Sequence, residues 1–313
     1  MPQALLIYNP TAGRFPFEPF AERAAKVLRS EGWDIELTRT HSREHLTLVT
    51  RQAANQNMDA VFIAGGDGSI NQAVAGLLGS QTALAVLPAG TANVWAQELG
   101  LPVLNWGNLM ALEESARRLA RGDIHATDIG ICADTPFLLW TSVGLDAYVI
   151  HQIEPRKRWE KYFAVPQYAA NTVLRARSWE GMNLQITVED ETIHGQYLLA
   201  VVTNIHLYAG GLANLSPEAR LDDGKMDLWL FSGDTLGEAI RHMLALWAGE
   251  HVKSDKVRRI SFQNLSIVSD NTMYIQVDGE PLKEAEQVNI EVKCQALRVL
   301  VPRNTPQQLF NKT

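Results

Sequence analysis

Cysteine is nearly absent from this chain, with Cys132 and Cys294 the only two in 313 residues. Both lie in apolar, strand-like stretches, so buried thiols in a reducing compartment are expected rather than a disulfide framework or a thiolate metal site. Long hydrophobic runs are also missing: nothing approaches the roughly 20 apolar residues that a bilayer span needs. The start, Met1-Pro2-Gln3-Ala4, has no basic region of the kind that opens a signal peptide. Positive charge is in deficit, with 28 Lys+Arg against 35 Asp+Glu and a formal net charge of −7. That balance argues against nucleic acid as a general partner, because such binding needs phosphate neutralisation. The eight histidines, His41, His45, His125, His151, His194, His206, His242 and His251, fall at no metal-ligand spacing. There is no internal repeat and no low-complexity stretch, and only residues 305–313 read as a loose tail. What remains is the composition of a cytoplasmic globular protein, 46% hydrophobic and 20% charged, long enough for two domains with separate cores.

Two halves differ in periodicity. Over residues 1–125, short apolar strands alternate with helices. Strands are expected at residues 4–8, 35–38, 60–64 and 83–87, and helices at 20–32, 45–57, 70–78, 92–99 and 108–121. Near-continuous apolar strands between helices predict a doubly wound, mostly parallel sheet covered on both faces. From about residue 126 to 313, many short strands with turn signals predict an all-β sandwich. Those strands are expected at 128–132, 137–143, 184–188, 196–203, 225–231, 259–262, 265–269, 273–277, 288–292 and 296–301. Two helices interrupt them, at 159–177 and 236–247, and the last strand has the option of returning to the first domain.

The most informative stretch is Ala64-Gly65-Gly66-Asp67-Gly68-Ser69-Ile70-Asn71, which follows a buried-strand pattern and opens a helical one. Three glycines within four residues let the backbone approach a ligand, and the positive end of the following helix suits phosphate. The Asp is unusual in a plain phosphate cradle; a carboxylate beside phosphates points to Mg²⁺ or to a proton that moves. The stretch is neither a Walker loop, which needs a Gly-Lys-Ser/Thr, nor a dinucleotide fingerprint. A second loop, Pro88-Ala89-Gly90-Thr91-Ala92-Asn93, again sets Gly and Thr between a strand and a helix. Thr91 reads either as a helix N-cap or, with Asn93, as a hydrogen-bonding group to phosphate. These loops, with Asn9-Pro10-Thr11-Ala12-Gly13 and Thr40, all fall at the carboxyl ends of strands, where ligands sit in such sheets.

Taken together, the loops resemble the diacylglycerol kinase catalytic family, in its bacterial soluble lipid-kinase branch, which is also similar to sphingosine and ceramide kinases. Further matching stretches are Ser142-Val143-Gly144-Leu145-Asp146-Ala147, residues 204–211, Leu221-Asp222-Asp223-Gly224-Lys225-Met226-Asp227 and Val277-Asp278-Gly279-Glu280. The resemblance implies an N-terminal α/β domain, a C-terminal β-sandwich domain and a nucleotide cleft between them. It implies ATP against Asn9, Thr40, Gly65, Gly66, Asp67, Gly68, Ser69, Ile70, Asn71, Gly90, Thr91 and Asn93. It implies Asp67 and Asp128 in a catalytic Mg²⁺ network and Glu280 as the base on a lipid hydroxyl. It also implies a structural Mg²⁺ held by Asp223 with the carbonyls of Arg220 and Lys225. The implied acceptor is a lipid alcohol, met through transient contact with a membrane surface; a homodimer is allowed.

Each of these has a plainer reading. Asp278-Gly279 is a strong two-residue hairpin signal, and the turn can present Glu280 while being only a turn. Leu221-Asp222-Asp223-Gly224 is ordinary turn chemistry or a hard-cation site. Residues 154–163 mix cations and aromatics, as an interfacial segment does and as a solvated helix start also does. The chain departs from the family at Val94, where many members of the branch carry Asp; sphingosine and ceramide kinases have a small apolar residue there. That departure leaves a lipid alcohol other than diacylglycerol open. Ser69 stands where Thr is common and keeps the hydroxyl. The rivals are an NAD kinase-like enzyme with a soluble substrate and a nucleotide-binding regulator without catalysis.

Overall fold

The structure, a computed structural model, describes residues 1–10, 18–153 and 179–311. The chain divides into two units, residues 1–128 with 294–313, and residues 129–293. The first holds β1 (Gln3–Tyr8), α1 (Glu18–Ser30), β2 (Asp34–Arg39), α2 (Arg43–Asn55), β3 (Ala60–Gly65), α3 (Asp67–Leu77), β4 (Ala83–Pro88), α4 (Val94–Glu98) and α5 (Ala111–Ala120). Strand β1 pairs in parallel with β2 and β3, and β3 with β4. Every residue of β3 and β4 is buried, as a sheet covered on both faces requires. Helix α1 turns Ala21, Ala24, Ala25 and Leu28 inward, a single stripe at helical spacing. The register matches Tyr8 with Arg39 and Gly65 with Pro88, so the loops after all four strands leave from one edge.

Among the helix boundaries that differ from expectation, two shape the site. Helix α3 begins at Asp67 rather than Ile70 because Gly66 is its extended N-cap, and the Gly66 carbonyl accepts from the Ser69 and Ile70 amides (2.9 and 3.2 Å). Helix α4 begins only at Val94 because Asn93 is left-handed (φ 54°, ψ 47°), a conformation that cannot sit inside a right-handed helix.

The second unit contains β6 (Thr135–Phe137), β7 (Trp140–Gly144), α6 (Leu145–Ile153), β8 (Met182–Val188), β9 (Glu191–Thr203), β10 (Leu207–Tyr208), β11 (Ala213–Asn214), β12 (Met226–Ser232), α7 (Leu236–Trp247), β13 (Val257–Phe262), β14 (Asn264–Met273), β15 (Ile275–Val277) and β16 (Glu280–Pro281). Strands β5 (Asp123–Cys132) and β17 (Ala285–Val301) each have residues in both units. Strand β9 pairs antiparallel with β7, β8 and β12, and β14 antiparallel with β8 and β17. The core gathers Phe137, Ile186, Leu228, Leu230, Phe262 and Ile267.

Several expectations are corrected here. The strand expected over 137–143 is interrupted after Phe137, where the next three amides donate to the Asp278 carboxylate. The strands expected at 288–292 and 296–301 are one strand, β17, kinked where Gln295 takes φ 49°. Cys294 beside that kink is exposed, whereas Cys132 is buried and burial pushes its thiol up to about 11. Helix α6 was not anticipated; it follows Gly144, whose φ of +105° ends the strand pattern abruptly. The helix expected at 159–177 and the basic-aromatic segment at 154–163 lie outside the described residues. Among the described residues no helix is long and apolar enough to cross a membrane.

Candidate active site

The loops after β3 and β4 meet backbone to backbone. A Cβ placed on Gly90 would lie 2.4 Å from the Cα of Gly66, and one on Gly66 would lie 2.9 Å from the Cα of Gly90. Neither position has room for any side chain, which explains a glycine in both loops. Gly65 is similarly enclosed, by Ser69 at 2.8 Å. Asn93 then shapes the second loop: its Oδ1 accepts from the Gly90 amide at 2.7 Å, and its Nδ2 donates to the Gly90 carbonyl at 2.9 Å.

Asp67 joins the two loops. Its carboxylate oxygens accept from the amides of Val94 (3.1 Å) and Trp95 (3.2 Å), the first turn of α4. Those amides have no side-chain cap from Asn93, so Asp67 supplies the negative charge that a helix start favours. Burial pushes the Asp67 carboxyl above its ordinary value, and the amides of Val94 and Trp95 pull against that rise. Helix α3 itself begins without a side-chain cap, leaving its first-turn amides suited to an anion.

The expected nucleotide residues therefore divide. Gly65, Gly66 and Gly90 make the close approach of the loops, Gly68 and Ser69 lie in the first turn of α3, and Thr91 is exposed beside them. Ile70 is buried apolar core and Asn71 is largely buried. Two expectations for the second loop are corrected. Asn93 is 1% exposed with its amide on Gly90, so it builds the loop rather than reaching out to a phosphate. Thr91 is not the N-cap of α4, because Asn93 holds that position. Thr40 is buried after β2, with its amide (2.9 Å) and hydroxyl (3.3 Å) both on the Tyr8 carbonyl. Asn9 is half-buried at the end of β1; Thr11, Ala12 and Gly13 lie outside the described residues. Asp128 is fully buried in β5, and its Oδ1 accepts from the amide of Gln295 at 2.7 Å, holding the kink of β17.

In the second unit, Glu280 sits at the start of β16 opposite Val277. Asp278 (φ 47°) and Gly279 (φ 82°) both have positive φ, the geometry of a type I′ hairpin. Asp278 is 8% exposed, and its carboxylate accepts from three successive amides, those of Leu138, Leu139 and Trp140, each at 3.0 Å. Nearby, Asp146 is buried and accepts from the Ser142 hydroxyl at 2.7 Å and from Gln276 Nε2 at 3.3 Å. Burial pushes its carboxyl up, while the donors Ser142, Tyr208 and Gln276 oppose the rise. Sequence reasoning reads Asp278 only as a turn residue and gives Gln276 no role. The Asp-Gly turn was legible, but a partner some 140 residues earlier left no local signal.

Asp223 closes a turn by accepting from the Lys225 amide at 3.0 Å. It lines a cavity of ≈ 20 Å³ with Thr203, Asn204, Arg220, Lys225 and Asp227, enough for one water or ion. Burial raises the Asp223 carboxyl, helped by the charges of Asp227 and Asp222. Among the described residues no three His, Cys, Asp or Glu side chains converge as a metal cage. Mg²⁺ needs no such cage, since it is commonly held by one or two carboxylates plus phosphates and water; the carboxylates of Asp67 and Asp223 fit that requirement, each beside backbone groups.

Comparison with known proteins follows the same division of the chain. Residues 3–132 match the diacylglycerol kinase catalytic domain, and residues 140–301 match the YegS C-terminal NAD kinase beta sandwich-like domain. The chain is 26% identical over 313 residues to a diacylglycerol kinase of Bacillus subtilis (strain 168), covering 99% of both proteins. It is 28% identical over 298 residues to one of Staphylococcus aureus (strain MRSA252), covering 89% of this chain and 86% of that one. A crystal structure of a diacylglycerol kinase from Bacillus anthracis str. Sterne shares the fold, with a TM-score of 0.73 over 97% of this chain and 98% of that one at 18% identity. With both halves matched in order, the chain belongs to the bacterial diacylglycerol kinase family and is a lipid kinase phosphotransferase.

Proposed function

We propose that this enzyme transfers the γ-phosphate of ATP to a hydroxyl of a lipid alcohol, of diacylglycerol or sphingoid type. The observation that carries the reading is the Gly66–Gly90 contact, which sets the two glycine loops side by side at the uncapped start of α3. In this reading the backbone of Gly65, Gly66, Gly68 and Gly90, with Ser69, Thr91, Asn9 and Thr40 around it, holds the nucleotide. Asp67 and Asp128 serve the Mg²⁺ that accompanies ATP, and Mg²⁺ supplies neutralising charge to the phosphates. Glu280 accepts the proton of the lipid hydroxyl as its oxygen bonds to the γ-phosphorus and the bridge to ADP breaks. Phosphoryl transfer to an alcohol asks little more of a protein than positioning, charge and one proton acceptor. Asp223, with the carbonyls of Arg220 and Lys225, would hold a structural Mg²⁺.

The acceptor sits in a membrane, so the enzyme works in the cytoplasm in transient contact with a lipid surface. Val94, where many relatives of the branch carry Asp, favours testing sphingoid alcohols beside diacylglycerol. NAD⁺ belongs in the same test, because the β-rich domain matches a model described as NAD kinase-like. The experiment is transfer of labelled phosphate from ATP to lipid alcohols in detergent micelles, with NAD⁺ as a further acceptor and Asp67→Ala as control. Label on a lipid, lost in the control, is the expected result; label on NAD⁺ alone overturns the lipid acceptor.

A further inference from the structure

The Asp-Gly turn that carries Glu280 is held more firmly than a two-residue hairpin requires. A type I′ turn needs only its ladder and two residues that tolerate positive φ. Here the Asp278 amide also donates to the Trp140 carbonyl at 2.9 Å, while its carboxylate gathers the amides of Leu138, Leu139 and Trp140. The segment that donates them is itself pinned, since the Asn204 amide donates to the Leu139 carbonyl at 2.9 Å and Asn204 Nδ2 to that of Leu138 at 3.2 Å. The other side of the turn is held by Gln276, which is fully buried. Its Oε1 accepts from the Gly279 amide at 2.8 Å, its Nε2 donates to the Ser142 hydroxyl at 2.8 Å, and its carbonyl accepts from the Thr141 hydroxyl at 2.6 Å. Ser142 in turn donates to Asp146. Both residues before Glu280 are thus fixed, Asp278 by its side chain and Gly279 by its amide.

We infer that Asp278 and Gln276 are positioning residues for Glu280, holding the turn so that the Glu280 carboxylate has one place to be. The inference rests on the reading of Glu280 as the base. A carboxylate that receives three backbone amides is stabilised as an anion, and it is expensive to replace: Asn keeps the shape but turns an NH₂ toward an amide donor. The consequence is loss of aim, and a displacement of about 1 Å at a reacting group costs about 10²-fold in rate.

The test is a double-mutant cycle on the full chain, reading kcat, the KM for ATP and the melting temperature. Asp278→Asn is expected to lower kcat about 10²-fold with the KM for ATP unchanged. In a Glu280→Gln background the same substitution should lower kcat no further, yet lower the melting temperature as much as it does alone. A wild-type kcat in Asp278→Asn, or losses that multiply across the cycle, overturns the inference while leaving Glu280 as the base. Full activity in Glu280→Gln by itself removes the base reading, a distinct outcome visible in one variant. Should Asp278→Asn fail to fold, Gln276→Met, which removes the acceptor for Gly279 and keeps the volume, decides the question in the same cycle.

Discussion

The two units each place one aspartate where backbone amides converge, and they do so by opposite means. In the first, Asp67 takes the amides that open α4, a regular helix start whose donors any anion can meet. In the second, Asp278 takes three successive amides, two from the break between β6 and β7 and one from the first residue of β7. The motif chemistry of the first aspartate is legible because it sits among glycines in a strand-to-helix turn. The second hides inside an ordinary hairpin signal. Neither carboxylate is simply an exposed reacting group; each also ties together segments distant in sequence. The contrast teaches that an acidic residue in a motif is to be judged by what it receives as much as by what it could donate to a reaction.

The sharpest way to break the comparison is at Glu280, the group that the second arrangement presents. Glu280→Gln keeps the turn and the volume, so ATP binding, followed by fluorescence titration, should be unchanged. Turnover should fall by about 10²- to 10⁴-fold, the usual contribution of a positioned general base. If turnover survives, the hairpin is architecture alone and the chemical asymmetry between the units disappears.

A smaller effect is expected from Gly90→Ala. Its methyl would meet the backbone of Gly66 at 2.4 Å, and backbone cannot move aside as a flexible side chain can. The loops must part, at a cost of about 1–3 kcal/mol for overpacking, measured by urea denaturation, together with weaker ATP binding. Gly237→Ala in α7 is the control, since nothing lies within 4 Å of the added methyl. It should be neutral or slightly stabilising. Equal behaviour of the two would mean that the loops of the first unit do not depend on their contact.

How much was legible in advance follows the range of the interactions involved. The parallel sheet and its loops are written in runs such as residues 60–65 and 83–88, where every residue is apolar or small and buried. Helix α7 is found over its expected span, and its cap is local: Thr235 accepts from the Glu238 amide. The start of α3 was missed by three residues because Gly68 and Ser69 are poor helix formers by propensity, and the extended Gly66 cap overrides it. The role of Asn93 was misjudged because its partner is a backbone group in its own loop, which an amide side chain does not announce. The break between β6 and β7 is illegible for a different reason. Leu138 and Leu139 continue an apolar run fit for a strand, and the groups that hold them out of it, Asn204 and the Asp278 carboxylate, lie 66 and 140 residues from Leu138.

The least effect, and the one that best separates the units, concerns the two raised carboxyls. Burial is the leading cause at both Asp67 and Asp146, but the opposing donors are helix amides at the first and side chains at the second. A carboxyl raised by folding favours the neutral acid. Its contribution to stability is therefore complete below the ordinary value of 3.8 and is lost as pH rises through the folded value. Asp146→Asn removes that dependence and also turns an NH₂ toward the Ser142 and Gln276 donors, so the variant should melt below the parent at pH 4. Its deficit should shrink as pH rises toward 8, because the parent then bears the cost of a buried charge that the variant lacks. Thermal melts across that range measure the difference directly. A deficit that grows with pH would mean that Ser142, Tyr208 and Gln276 together outweigh burial. The side-chain cage of the second unit would then hold a carboxylate better than the helix start of the first does.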